Sequence, residues 1–217
     1  MPERYVHAIR LEDPGSEEPA ATRERLKDGF PRGATRRMTQ LGLLVGTTLD
    51  GLAPRTDDAV VYASSYAESR ALEGYLESFP TASPTLFQTS IHPSAVQQSL
   101  IGRQHPVGEF FPLTGRGHLV AQALQTAMLA RAPRVLVCGG EERGTWLLER
   151  GYASARTFAF AMALGAAAEG AVARVALERS GEPARELSLE QFFDRLRARA
   201  TIDQMAAPGV RLTLTWL

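Results

Sequence analysis

In 217 residues the sequence contains one cysteine, Cys138, and one lysine, Lys27. A lone cysteine excludes an intramolecular disulfide and any metal site built from several thiolates. The other 23 of the 24 cationic side chains are arginine, a skew that follows GC-rich coding and points to no activity. Charge of one sign is also lacking. Lys and Arg total 24 and so do Asp and Glu, so there is no broad attraction to nucleic acid or to an anionic membrane. Nor is there an apolar run of about 18 residues that could form a membrane span. The opening stretch MPERYVHAIRLEDPGSEEP is charged and has no apolar core of a secretory signal. A cytoplasmic protein without membrane insertion is expected.

The chain has enough length and apolar content for one globular domain over 1–217. After a short strand around Val6 to Leu11, residues 13–34 are polar and rich in Pro and Gly and read as a mobile connection with one helical turn. A helix capped by Thr35 follows, with Met38, Leu41, Leu44, Val45 and Leu49 on one face. DDAVVYASS, 57–65, reads as a strand buried on both faces. Then come an amphipathic helix bearing Tyr66, Leu72, Tyr75, Leu76 and Phe79, a Pro-broken loop, and a helix from about Pro93.

The helix expected over 117–131 carries small apolar residues around most of its circumference, as a helix between close neighbours does. RVLVCGG is a central-strand pattern. Residues 154–178 read as a hairpin with Phe158, Phe160, Met162 and Leu164 on one face and mostly alanine on the other. Residues 185–217 add a helix and a strand. Strands alternating with helices place the chain in the α/β class.

Few residues invite chemistry. EFFPLTGRGH runs from a strand through a glycine turn into the buried helix, with Thr114 in the turn and Gly115 and Gly117 permitting close backbone approach. Free amides at a helix start can hold an anion or an oxyanion, but GRG lacks the spacing of a phosphate loop. As a nucleophile Thr114 would need a base, and His7, His92, His105 and His118 show no recognisable pairing with it. Cys138, inside an apolar strand, reads as core. Glu141, Glu142 and Arg143 follow that strand and read either as an acid/base cluster or, by the more common pattern, as a solvated loop.

From the helix near Thr35 to Glu178 the order of features resembles the N-terminal half of a β-ketoacyl synthase, of the thiolase-like superfamily. The likeness is closest in SIHPSAVQQSLIGRQHPVGEFFPLTGRGHLVAQALQTAMLARAPRVLVCGGEE. There Gly102-Arg103-Gln104-His105-Pro106 stands at the family's Gly-x-x-Gly-Pro turn, with His105 at the second glycine, and Val135 to Gly140 with Glu142 stands at the strand that ends in Ala-Gly-Gly-x-Glu, with Cys138 at the alanine.

Counting back from Gly139-Gly140, the family's catalytic cysteine falls on Thr114. The family's further catalytic residues belong to a second half that lies outside this sequence. The resemblance therefore implies a fold and a role without carrying over any catalytic residue. The fold would be half of a thiolase-like fold: a mixed, mostly parallel sheet with a buried central helix and a C-terminal hairpin.

The role would be that of a chain length factor, a non-catalytic subunit that forms a heterodimer with a cysteine-bearing synthase in bacterial fatty-acid-like, polyketide or aryl polyene biosynthesis. No cofactor or metal is implied. The dimer strand of the family falls on Val107 to Leu113, making Val107, Glu109, Phe110, Phe111 and Leu113 the candidate interface. Arg36, Arg37 and Arg143 would meet an acidic acyl carrier protein. Two other readings stay open: an acyltransferase or hydrolase using Thr114, and a phosphate-ligand binder using the turn at 115–117.

Overall fold

The computed structural model describes residues 3–183 and 186–217. Eight strands form one sheet: β1 Glu3–Glu12, β2 Ala59–Ser64, β3 Glu109–Thr114, β4 Arg134–Glu141, β5 Phe158–Gly165, β6 Ala173–Arg179, β7 Ile202–Ala207 and β8 Val210–Trp216. Their order is β3-β2-β4-β5-β1-β6-β8-β7. The sheet is mixed, but against expectation only the pairings of β2 with β3 and β4 are parallel, and the rest are antiparallel.

The expected hairpin over 154–178 is not one. β1, from the far end of the chain, lies between β5 and β6 and pairs with both. The alternation that suggested the hairpin holds all the same, since β5 is wholly buried between two layers. Phe158, Phe160, Met162 and Leu164 face one core, and Ala159, Ala161 and Ala163 face the other. The chain does end in a hairpin, formed by β7 and β8.

The alanine face packs under α2, Gln40–Asp50, and α5, Ser94–Gly102. Alanine there lets a helix lie close to the strands. The opposite face holds α6, Leu119–Leu129, and α8, Leu189–Arg197, in the larger core. Both edges of the sheet, β3 and β7, reach α6, so the sheet curls around this helix. α8 opens with a Ser188–Gln191 capping box. It sets Phe193 and Phe192 against Phe158 and Phe160, with ring centroids 4.7 and 5.6 Å apart. Each such ring contributes on the order of 2–3 kcal/mol by leaving water.

Local signals shift several boundaries. The cap of α2 is Thr39, whose hydroxyl accepts from the Gly42 N–H, and Thr35 sits in a single 3-10 turn before it. The segment 13–34 carries an eight-residue helix, α1 Pro19–Leu26, where one turn was expected. The helix expected from 65 begins later, as α3 Ser69–Glu77, and the Pro-broken loop contains α4, Pro84–Ser90, capped by the Ser83 hydroxyl. Short α7, Trp146–Glu149, follows β4. The segment 185–217 holds a second strand, β7, that its sequence IDQMAA does not advertise. At the opposite end of the parallel strands, Arg134 on β4 grips fully buried Asp58 with two bonds of 2.7–2.8 Å, tying β4 to the start of β2.

Candidate functional site

The three strands in parallel register, β3, β2 and β4, end together, bringing Thr114, Ser64 and Glu141 to one rim of the sheet. In open α/β sheets this carboxyl end is where ligands and chemistry gather.

Thr114 is the last residue of β3, opposite Ser64, and is exposed. The turn after it uses Gly115 at φ 137° and His118 at φ 58°. Helix α6 starts only at Leu119, so Gly115 and Gly117 lie in the turn, outside the first helical turn where free amides converge. His118 does not serve Thr114. Its Nδ1 lies 3.1 Å from the Ala206 carbonyl oxygen, joining the head of α6 to edge strand β7. Arg116 donates to the Gly151 carbonyl at 3.1 Å and lies over the Tyr66 ring. No hydrogen bond to the Thr114 hydroxyl is present among the described residues.

The other histidine close to this end of the sheet is also engaged. His92 stacks on buried Tyr62 with centroids 5.1 Å apart, and its Nδ1 meets Glu68 at 3.1 Å. Glu68 in turn accepts from the Ala95 N–H in the first turn of α5.

Glu141 and Glu142 are not the solvated loop that their sequence suggested. Glu141 is buried and accepts from the Ser64 hydroxyl at 3.1 Å and from the N–H groups of Ser65 and Tyr66. Burial pushes its pKa up to about 7, with those bonds pulling the other way. Glu142 accepts from the Leu41 N–H at the head of α2. Burial raises it too to about 7, against the pull of Leu41 N–H, Arg70 and Arg23.

Glu73, fully buried, accepts from the N–H groups of Thr145 and Leu147 and pairs with Arg70. Burial acts to raise it, but the backbone donors outweigh burial and its pKa is lowered. These carboxylates fasten the loops after β2 and β4, and each has its donors within the protein. Their arrangement is structural.

Cys138 is buried among α2, α5 and the inner strands, and burial pushes its thiol up to about 12, so it is no nucleophile. The next two residues are glycine because the neighbouring strands leave no room. A Cβ at Gly139 would run into the Ala63 carbonyl oxygen, and one at Gly140 into that of Phe158. No group of metal-ligating side chains exists among the described residues, and no described helix is long and apolar enough to cross a membrane.

The candidate interface residues fall on edge strand β3 and the residues before it. Phe110 and Val107 pack toward the α2 side, and Phe111 and Leu113 toward the α6 side, all half-buried. Arg36 and Arg37 are exposed and line a cleft of about 360 Å³ with Arg23 and Arg70, which Arg143 does not join.

No family model and no curated protein matches this chain, but solved structures do. Over 98% of its length, and 98% of the other chain, it superposes on a chain of the ketosynthase ApeO in complex with its chain length factor ApeC from Xenorhabdus doucetiae, at TM-score 0.67 and 18% identity. The ishigamide ketosynthase/chain length factor matches 82% of this chain and 67% of that one, at TM-score 0.60 and 14% identity. A beta-ketoacyl synthase from Burkholderia phymatum matches 92% and 71%, at TM-score 0.56 and 13% identity. The chain has the ketosynthase-like half of a thiolase-like fold.

Proposed function

We propose that this chain is a non-catalytic ketosynthase-like subunit of the chain length factor type. It pairs as a heterodimer with a cysteine-bearing β-ketoacyl-ACP synthase and shapes that enzyme's acyl pocket. The observation that carries the reading is Thr114. By the count from Gly139-Gly140 the family's nucleophile position falls on Thr114, an exposed hydroxyl with no hydrogen bond to a base among the described residues. A hydroxyl without a base does not attack a thioester at neutral pH.

The place of the chain in metabolism follows from the same analogy. Two of the similar structures are assemblies of a ketosynthase with a chain length factor, which supports a fatty-acid-like, polyketide or aryl polyene pathway. The partner would cover the edge of β3 at Val107, Glu109, Phe110, Phe111 and Leu113, since an uncovered edge strand with two phenylalanines invites association.

An acyl carrier protein, being acidic, would be met at Arg36 and Arg37. Neither has an ion-pair partner among the described residues, and Arg23 beside them spends its donors on the Thr35 and Met38 carbonyls. Unpaired guanidiniums steer an acidic partner more than they strengthen its binding.

The test is a reconstituted condensation assay with the synthase, an acyl carrier protein and this chain present or omitted. Product length or yield should change on omission and stay unchanged with Thr114→Ala. Unchanged products on omission would refute the subunit role, and loss of product with Thr114→Ala would turn attention to a reactive threonine.

A further inference from the structure

β3 is one edge of the sheet and pairs with β2 alone. The Gly108 and Glu109 N–H groups both donate to the Asp58 carbonyl on the β2 side, at 2.9 and 3.3 Å, and Glu109 is the one that lies within the strand. Backbone groups alternate sides along a strand, so Phe111 and Leu113 turn the same way. Phe110, Pro112 and Thr114 therefore present their backbone outward. Proline has no N–H, which leaves this outer edge with donors at Phe110 and Thr114 and a carbonyl without a donor at Pro112.

The consequence depends on what binds. A strand from a different chain loses one ladder hydrogen bond, at Pro112. A second copy of this strand loses two in any register that covers the position, because each copy brings its own Pro112. With the two-fold axis at Pro112 itself, both losses fall on the central pair.

Charge acts in the same direction. From Val107 to Thr114 the one charged side chain is Glu109, and no cation accompanies it. Its Oε2 is sealed from solvent and has no hydrogen-bond partner among the described residues. Self-pairing would bring two such carboxylates into one interface with nothing positive to meet them, a costly arrangement. A different chain can supply the cation.

We infer that the outer edge of β3 is built to accept a strand from a different chain carrying a cationic side chain, and that Pro112 and Glu109 discriminate against a second copy of this one. The inference rests on the proposed β3 interface and deepens it, adding which residues choose the partner. Each restored ladder bond is worth about a two- to tenfold change in affinity.

Sedimentation of the isolated full chain tests this with no synthase present, so a failed pairing with a synthase cannot be mistaken for its failure. The wild type should remain monomeric. Pro112→Val combined with Glu109→Gln should self-associate, with a dimer constant at least about tenfold tighter. Pro112→Thr, whose side chain also suits an edge strand, serves as the second variant, and circular dichroism checks folding of both. A wild-type dimer that the substitutions leave unchanged or weaken would overturn the inference, as would folded variants that stay monomeric.

Discussion

The loops after β2 and β4 and the edge strand β3 stand side by side in one sheet and are built on opposite terms. At the first, Glu68, Glu73 and Glu141 are buried, and each accepts at least two hydrogen bonds or ion pairs from within the protein. At the second, Thr114 is exposed, Pro112 offers no N–H donor, and two phenylalanines are half covered. The interior is held in register by its own donors, while the edge beside it is uncovered. Under the proposed role, this distribution of order suits a chain that contributes an edge to an assembly.

The sharpest way to break the comparison is from the well-ordered side. Gly140→Val would drive a side chain into the Phe158 carbonyl and should abolish soluble expression, whereas Thr114→Ala should not. Arg134→Ala comes next, since it removes the cation from the fully buried Asp58 carboxylate and leaves it the Arg55 N–H. Loss of one partner of a buried pair costs about 3–5 kcal/mol, which urea denaturation would register as a lower midpoint at unchanged slope.

The third test is pH. Glu141 and Glu142 have folded-state pKa values raised to about 7 from 4.5. A carboxyl raised in the folded state binds its proton more tightly there, so its contribution to stability is full below about 4.5 and is lost as pH rises through about 7. Unfolding midpoints should therefore fall between pH 5 and 7.5, and Glu141→Gln should flatten that slope. A slope of opposite sign that the substitution leaves unchanged would contradict the burial assigned to Glu141. Smallest of all, Thr114→Ala should change stability by less than about 0.5 kcal/mol, as exposed substitutions do.

The same contrast explains what the sequence could convey. The buried strands, the large and small faces of β5 and the central helix α6 were legible because periodicity is a local record of burial. The place of β1 between β5 and β6 was not, since it pairs residues 147 to 173 positions apart. The burial of Glu141 and the partial burial of Glu142 were hidden likewise: their donors lie on the loop after β2 and at the head of α2, and only the fold brings them near.

β7 escaped because IDQMAA has no alternation and a single β-branched residue, Ile202. α4 could have been found, for Ser83 before Pro84 is a cap followed by proline at the first helical position. At the candidate site, the strand, the glycine turn and the helix around Thr114 were legible. That its turn delays the helix to Leu119 was not, because His118 adopts a left-handed conformation that sequence rarely signals.

The account turns on the chain having a larger partner with the missing chemistry. The most direct measurement is affinity purification of the tagged chain from its native host at low expression, with mass spectrometry of what accompanies it. The account predicts a ketosynthase bearing an active-site cysteine in roughly equal amount, lost when Phe110→Arg places a charge on the edge of β3. A chain recovered alone, or a synthase retained equally well by Phe110→Arg, would contradict it.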